Sequence, residues 1–168
     1  MAGSQDLECV NFPKPGLQTE TWLTTDIQTF VNNRLGISPT RWGVIGVSTG
    51  GWCAAMLSIK HENLFYAAVS IAGYYRPALT KSTDPVIKSQ LEADYDFTKL
   101  EAAMTGKMDM LLIASVGDIY SFAETKKFRA LQHLNINYQY IELASGGHNA
   151  RVWIPQISLS LDWLKKHQ

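Results

Sequence analysis

The pentapeptide Gly46-Val47-Ser48-Thr49-Gly50 constrains this chain more than any other stretch. An apolar run, Trp42 to Val47, leads into it, and a run of small residues with helical character, Gly51 to His61, leads out. The pattern is strand, tight turn, helix, with a serine at the apex. G-x-S-x-G in that setting is a nucleophile elbow, a strained turn that lifts the serine hydroxyl above the edge of a sheet. The glycines two residues either side are expected to relieve collisions where strand and helix pass close together. Five residues alone occur by chance in many chains; the flanking strand and helix give the motif its weight.

Along the chain, residues 1–18 contain Pro13, Pro15 and Gly16 without periodicity and read as a leading tail or loop. A single domain is expected over residues 19–168. From Thr21 the residues Leu23, Ile27, Phe30, Val31 and Leu35 recur at helical spacing, with Gly36 as the stop. Trp42 to Val47 is apolar on both faces, as a buried parallel strand is. Phe65 to Ala72, Met110 to Val116 and Asn137 to Leu143 read as further strands, the last nearer a sheet edge. Helices are expected over Phe122 to Leu134, and from Trp153 through Ile157, Leu161 and Leu164, with Pro155 in the first turn. Between them, residues 74–107 form an irregular insert with short helical stretches over Ala93 to Met104. Strand and helix alternate throughout. That pattern predicts an α/β fold: a parallel sheet of about four strands, helices on both faces and right-handed crossovers. Sites in such sheets form beyond the carboxyl ends of the strands.

Three residues stand just after three of those ends: Ser48, Asp118 and His148. A serine hydroxyl is a weak nucleophile near neutral pH. It needs a base within reach, and the base needs an acid to fix its tautomer and stabilise the imidazolium. Gly146 and Gly147 free the loop that aims His148. The oxyanion of a tetrahedral intermediate needs two donors, one of them the backbone N–H of Thr49. Each residue also has a plainer reading. Ser48 fits a helix cap, Asp118 fits the N-cap of a helix starting near Ser121 and can serve in both roles, and His148 fits an ordinary loop residue. Asp84, Asp94 and Asp96 in the insert are alternative acids. His61, His133 and His167 lie at helix ends or in the tail, and Trp153 reads as core packing.

These stretches resemble the putative esterase family of α/β-hydrolases, which includes esterase D-like enzymes, feruloyl esterases and mycolyltransferases. The matching segments are Thr19-Glu20-Thr21-Trp22-Leu23, Gly46 to Gly51, Leu64-Phe65-Tyr66-Ala67-Ala68, and Gly146-Gly147-His148 followed by Trp153. They run from about Leu7 to Leu164. The resemblance implies Ser48 as nucleophile, His148 as base and Asp118 as acid, and the spacing of Asp118 to His148 looks like that of feruloyl-esterase-like members. Family elbows often carry Met after the serine, where this chain has Thr49; only the backbone N–H matters there. Family members also carry several strands before the helix that starts here near Thr21. The chain is therefore expected to be an α/β-hydrolase core lacking its N-terminal strands. Half of the oxyanion hole would then be absent, and Trp42 to Val47 would be an apolar edge open to pairing. That edge is expected to be covered by a second copy, by the N-terminal segment or by a separate half.

The totals exclude other classes. Formal net charge is zero across 168 residues without a basic block, which argues against nucleic acid. Apolar runs such as Phe65 to Ala72 are too short to span a bilayer. Met1 to Asp6 has neither the basic nor the apolar region of a secretory leader. The two cysteines, Cys9 and Cys53, cannot build a zinc site alone and fit two thiols or one disulfide. Some actinobacterial relatives are similar at Glu8-Cys9-Val10 and Gly51-Trp52-Cys53-Ala54; a disulfide between those positions would imply an exported protein. The expected function is a serine carboxylic-ester hydrolase or acyltransferase acting on a small-molecule ester or acyl substrate. It proceeds through an acyl-serine intermediate without metal or organic cofactor. The alternative is a catalytically inert, truncated hydrolase-like module that binds a partner or ligand.

Overall fold

Four apolar runs form the strands β1 (Trp42–Val47), β2 (Phe65–Ile71), β3 (Met108–Ser115) and β4 (Ile136–Leu143). All pairings are parallel, and the spatial order β1-β2-β3-β4 follows the sequence. The structure, a computed structural model, describes residues 8–81 and 83–168. Their contacts divide them into two units: residues 8–40 with Arg76–Asp96, and Arg41–Tyr75 with Phe97–Gln168.

The second unit holds the sheet, as an α/β-hydrolase-like fold. Its helices are α3 (Thr49–Lys60), α5 (Phe97–Ala102), α6 (Ile119–Arg129) and α7 (Ala150–Lys166). Side chains alternate along each strand, so each strand serves two faces. Ala67, Val69, Ile71, Leu111 and Ile113 point to one face and pack with Trp153, Trp163 and Leu164 of α7. Ser70 points to the other, where a Cβ on Gly51 of α3 would lie 3.1 Å from its hydroxyl. Helices thus cover both faces. Around them, Trp52, Tyr75, Phe97 and Phe128 build an aromatic cluster, with Tyr75 stacked on Phe128 at 4.1 Å between ring centroids.

The register aligns the strand ends. Val47 pairs with Ile71, Ile71 with Ile113, and Ile113 with Ile141, so the loops after all of them leave from one rim. β1 hydrogen-bonds to β2 and forms one border of the sheet, and only Gly46 among its residues is buried. The strand expected to be buried on both faces is therefore half-buried, because a border strand has one neighbour.

Several boundaries differ from the expected ones. The helix expected over Phe122 to Leu134 runs over Ile119–Arg129, because Asp118 caps it three residues earlier. Leu131 and Leu134 lie beyond it and are exposed. Pro155 stands six residues into α7, in its second turn rather than its first, on the exposed side.

The first unit carries α1 (Thr19–Thr21), a π-helical turn (Trp22–Asp26) and α2 (Ile27–Leu35), which run on without a break. Thr24 donates its hydroxyl to the Glu20 carbonyl at 2.8 Å, a side-chain bond that competes with the helical ladder at this turn. Gly36 ends the run at φ +65°, the left-handed stop that glycine adopts freely. Helix α4 (Pro85–Asp94) starts with Pro85 after Asp84, whose carboxylate accepts from the N–H groups of Val86 and Ile87. Asp84 is thereby a cap, and Asp94 accepts from Gln90. The Tyr95 hydroxyl donates to the Glu20 carboxylate and accepts from the Asn11 N–H, so burial and the neighbouring carboxylate push that phenol up. Residues 1–7 of the expected leading tail lie outside the described residues, whereas Glu8, Cys9 and Val10 are buried. Cys9 and Cys53 are both disulfide-bonded, and neither is a free thiol. Among the described residues no helix is long and apolar enough to cross a membrane.

Candidate active site

Ser48 follows the last residue of β1 and precedes the first of α3, with φ +59° and ψ −120°. A side chain other than glycine rarely holds a positive φ, and the surrounding packing must enforce it. Here the enforcement is visible. The Ser48 N–H donates to the Ile71 carbonyl at 2.8 Å, and the Ser48 carbonyl accepts from Gly51 and Trp52. A Cβ on Gly46 would stand 1.8 Å from the Gly50 carbonyl oxygen, so strand and helix touch there as the motif requires. The second glycine is a correction. A Cβ on Gly50 would meet nothing within 4 Å, whereas one on Gly51 would lie 2.8 Å from the Ile71 carbonyl oxygen. The close approach therefore needs Gly46 and Gly51, and Gly50 contributes its backbone alone.

Asp118 follows β3 in a turn closed by its own N–H to the Ser115 carbonyl. Its side chain is 5% exposed and splits its two oxygens. Oδ1 accepts from the Ser121 N–H at 3.4 Å, which caps α6, and Oδ2 lies 2.5 Å from His148 Nδ1. One carboxylate thus caps α6 and faces the His148 ring. His148 stands in the loop between β4 and α7, with a half-exposed ring. Its Nε2 is 2.9 Å from Ser48 Oγ. A carboxylate beside Nδ1 fixes the proton on that nitrogen. With the proton on Nδ1, Nε2 is the ring atom able to accept from the serine hydroxyl. The Trp153 ring meets His148 edge-on, 6.1 Å between centroids, and is 3% exposed in the core. Of the other histidines, His133 is tied to Glu101 at 2.8 Å and to the Phe128 carbonyl, and His167 stacks on Trp163.

Thr49 opens α3, and the first N–H groups of a helix have no acceptor within it. Its backbone N–H therefore belongs to the positive end of the helix, beside Ser48. Its hydroxyl is 2.8 Å from that of Tyr74, in the loop after β2, and the Tyr74 ring meets Tyr120 of α6 at 6.1 Å. Two contributors escaped sequence reasoning. Tyr74 carried no signal. Ser115 did: it is a lone hydroxyl closing a run of apolar residues, and its hydroxyl donates to the carbonyls of Gly146 (2.7 Å) and Ser145 (3.1 Å). Among the described residues, no group of three His, Cys, Asp or Glu side chains could hold a metal ion.

Comparison with known proteins agrees with this architecture. No curated protein sequence matches the chain. An S-formylglutathione hydrolase from Agrobacterium tumefaciens superposes with a TM-score of 0.74 at 16% identity, over 96% of this chain and 63% of that one. A ferulic acid esterase superposes with a TM-score of 0.74 at 13% identity, over 94% of this chain and 64% of that one. An acylaminoacyl peptidase from Pyrococcus horikoshii superposes with a TM-score of 0.60 at 14% identity, over 96% of this chain and 29% of that one. The chain thus spans less than two thirds of the length of the first two of these structures. The sequence profile of the prolyl oligopeptidase family matches residues 24–168, which contain all three strand-end residues. The chain belongs to the prolyl oligopeptidase family.

Proposed function

We propose that the chain carries the catalytic centre of a serine carboxylic-ester hydrolase or acyltransferase working through an acyl-serine intermediate. The observation that supports it is the unbroken line from Ser48 Oγ to His148 Nε2 (2.9 Å) and from His148 Nδ1 to Asp118 Oδ2 (2.5 Å). Its elements come from three separate strand ends.

In this reading Ser48 Oγ attacks the ester carbonyl carbon while its proton passes to His148 Nε2. Asp118 stays ionised and stabilises the imidazolium. The carbonyl oxygen gains the negative charge and takes a hydrogen bond from the Thr49 N–H. Collapse breaks the bond to the alcohol, which leaves with the proton from Nε2, and the acyl group remains on Ser48. Water or an acceptor alcohol then attacks the acyl carbon, its proton goes to Nε2, and Ser48 leaves with that proton restored. The same groups serve hydrolysis and transfer; the nucleophile that reaches the acyl-enzyme decides between them. The substrate is a small ester or acyl compound, and the residues named need no cofactor.

Incubation with p-nitrophenyl acetate tests this. A burst of nitrophenolate with an acetyl adduct on the Ser48 peptide is expected, and both vanish in Ser48→Ala. A folded protein that yields neither burst nor adduct is instead the inert binding module.

A further inference from the structure

We propose that Ser115 is a positioning residue for His148, holding the base at its working distance from both Ser48 and Asp118. The inference rests on the triad reading above. Ser115 is the last residue of β3 and is fully buried. The ladder between β3 and β4 ends beside it, at the Ser115–Leu143 pair and the Val116 N–H to the Leu143 carbonyl. From there β4 runs into the loop that carries His148. The Ser115 hydroxyl reaches past the end of the ladder, with one proton facing two successive carbonyls, those of Ser145 and Gly146.

The Gly146 carbonyl is fixed from more than one side. A Cβ on Gly117 would stand 2.0 Å from its oxygen, so the acid turn leans directly on the base loop. Gly146 itself has φ +109°, and a Cβ there would lie 2.6 Å from Val152 Cγ2 in α7. His148 follows two residues later, with its ring about half exposed and hence with few packing walls of its own. The geometry of its backbone therefore decides where Nε2 points. Removing the buried Ser115 hydroxyl strips both carbonyls of this donor, and because Ser145 is already exposed, water can take its place as the loop shifts outward. A displacement of about 1 Å in such a site costs about 10²-fold in rate.

The test compares Ser115→Ala with the wild type by ¹⁵N-histidine NMR and by ester turnover. The His148 signals, assigned with His148→Gln, are expected to report the Nδ1–H tautomer in the wild type and a mixture of tautomers in Ser115→Ala. Turnover is expected to fall about 10–100-fold in kcat with KM within about twofold, since alignment and not substrate contact is lost. Ser115→Cys, similar in size with a weak donor, is expected in between; it carries the test by the same readouts if Ser115→Ala does not fold. An unchanged tautomer and kcat in a folded variant overturn the proposal. A wild type that turns over no ester, with the tautomer still lost in Ser115→Ala, sinks the esterase reading and leaves the positioning role standing.

Discussion

The Cα of Gly46 and the carbonyl of Gly50 are so close that a methyl group on the first would lie 1.8 Å from the oxygen of the second. Gly46→Ala must therefore push strand from helix at the point where Ser48 is turned. We expect it to destabilise the protein by about 1–3 kcal/mol or more and to misplace the serine. Gly50→Ala, with open space at that position, is expected to leave the melting temperature equal or slightly higher, because alanine is the better helix former. Thermal melts of the two variants decide it; equal losses in both would contradict this account of the elbow.

Asp118 meets the His148 ring and the start of α6 with separate oxygens. Asp118→Asn keeps the shape and an acceptor for the Ser121 N–H but loses the charge that fixes the His148 tautomer. A fall in kcat of about 10⁴-fold is expected from the wrong tautomer. The stability loss is expected to be small, at most the about 0.5–2 kcal/mol of a lost cap. A melting curve alongside the kinetics separates the two roles.

Glu101 predicts an acid-labile element. Burial pushes its carboxyl up, but the N–H donors of Asn135 and Leu134 and the His133 ring together hold it below the ordinary carboxylate value. A lowered folded-state pKa adds stability above the unfolded value, and that stability fades as pH falls through the folded value. Glu101→Gln is therefore expected to cost about 1–3 kcal/mol at neutral pH and progressively less as the pH drops below about 4. Urea melts across that range check the convergence; a constant difference would contradict it.

Cys9 and Cys53 are expected to resist alkylation until a reductant is added. Reduction is then expected to lower stability by about 2–4 kcal/mol, the usual cost of losing a native disulfide. Such a bond persists in an oxidising compartment. Alkylation of both thiols without reductant would remove this reading.

Strand β1 hydrogen-bonds to β2 and borders the sheet. Its outer edge has no strand partner among the described residues, and we expect it to recruit one, from a second copy or a separate segment, since an apolar edge invites pairing. Light scattering is expected to show association that Val44→Lys weakens. A monodisperse monomer at all concentrations would contradict it.

The alternation of apolar runs with helical stretches made the four strands, their parallel pairing and the three strand-end positions legible. β1 was read to its residue limits because Pro39 and Ser48 punctuate it on both sides. The boundaries of α6 were misread, since Leu131 and Leu134 continue the apolar spacing beyond Arg129 while the cap at Asp118 starts the helix early. The role of Gly51 escaped notice because its need arises from β2 and Gly73, distant in sequence, and not from the elbow itself. The same holds for Tyr74, whose meeting with Thr49 depends on two loops brought to one rim by strand pairing.

The measurement that bears most directly on the central claim is labelling by a fluorophosphonate, which reacts only with a serine activated by its base. The account predicts that the wild-type chain is labelled on Ser48, that Ser48→Ala is not, and that His148→Ala is labelled far more slowly while remaining folded. A folded wild-type protein that takes no label, or takes it on another residue, would contradict the assignment of Ser48, His148 and Asp118 as a working triad.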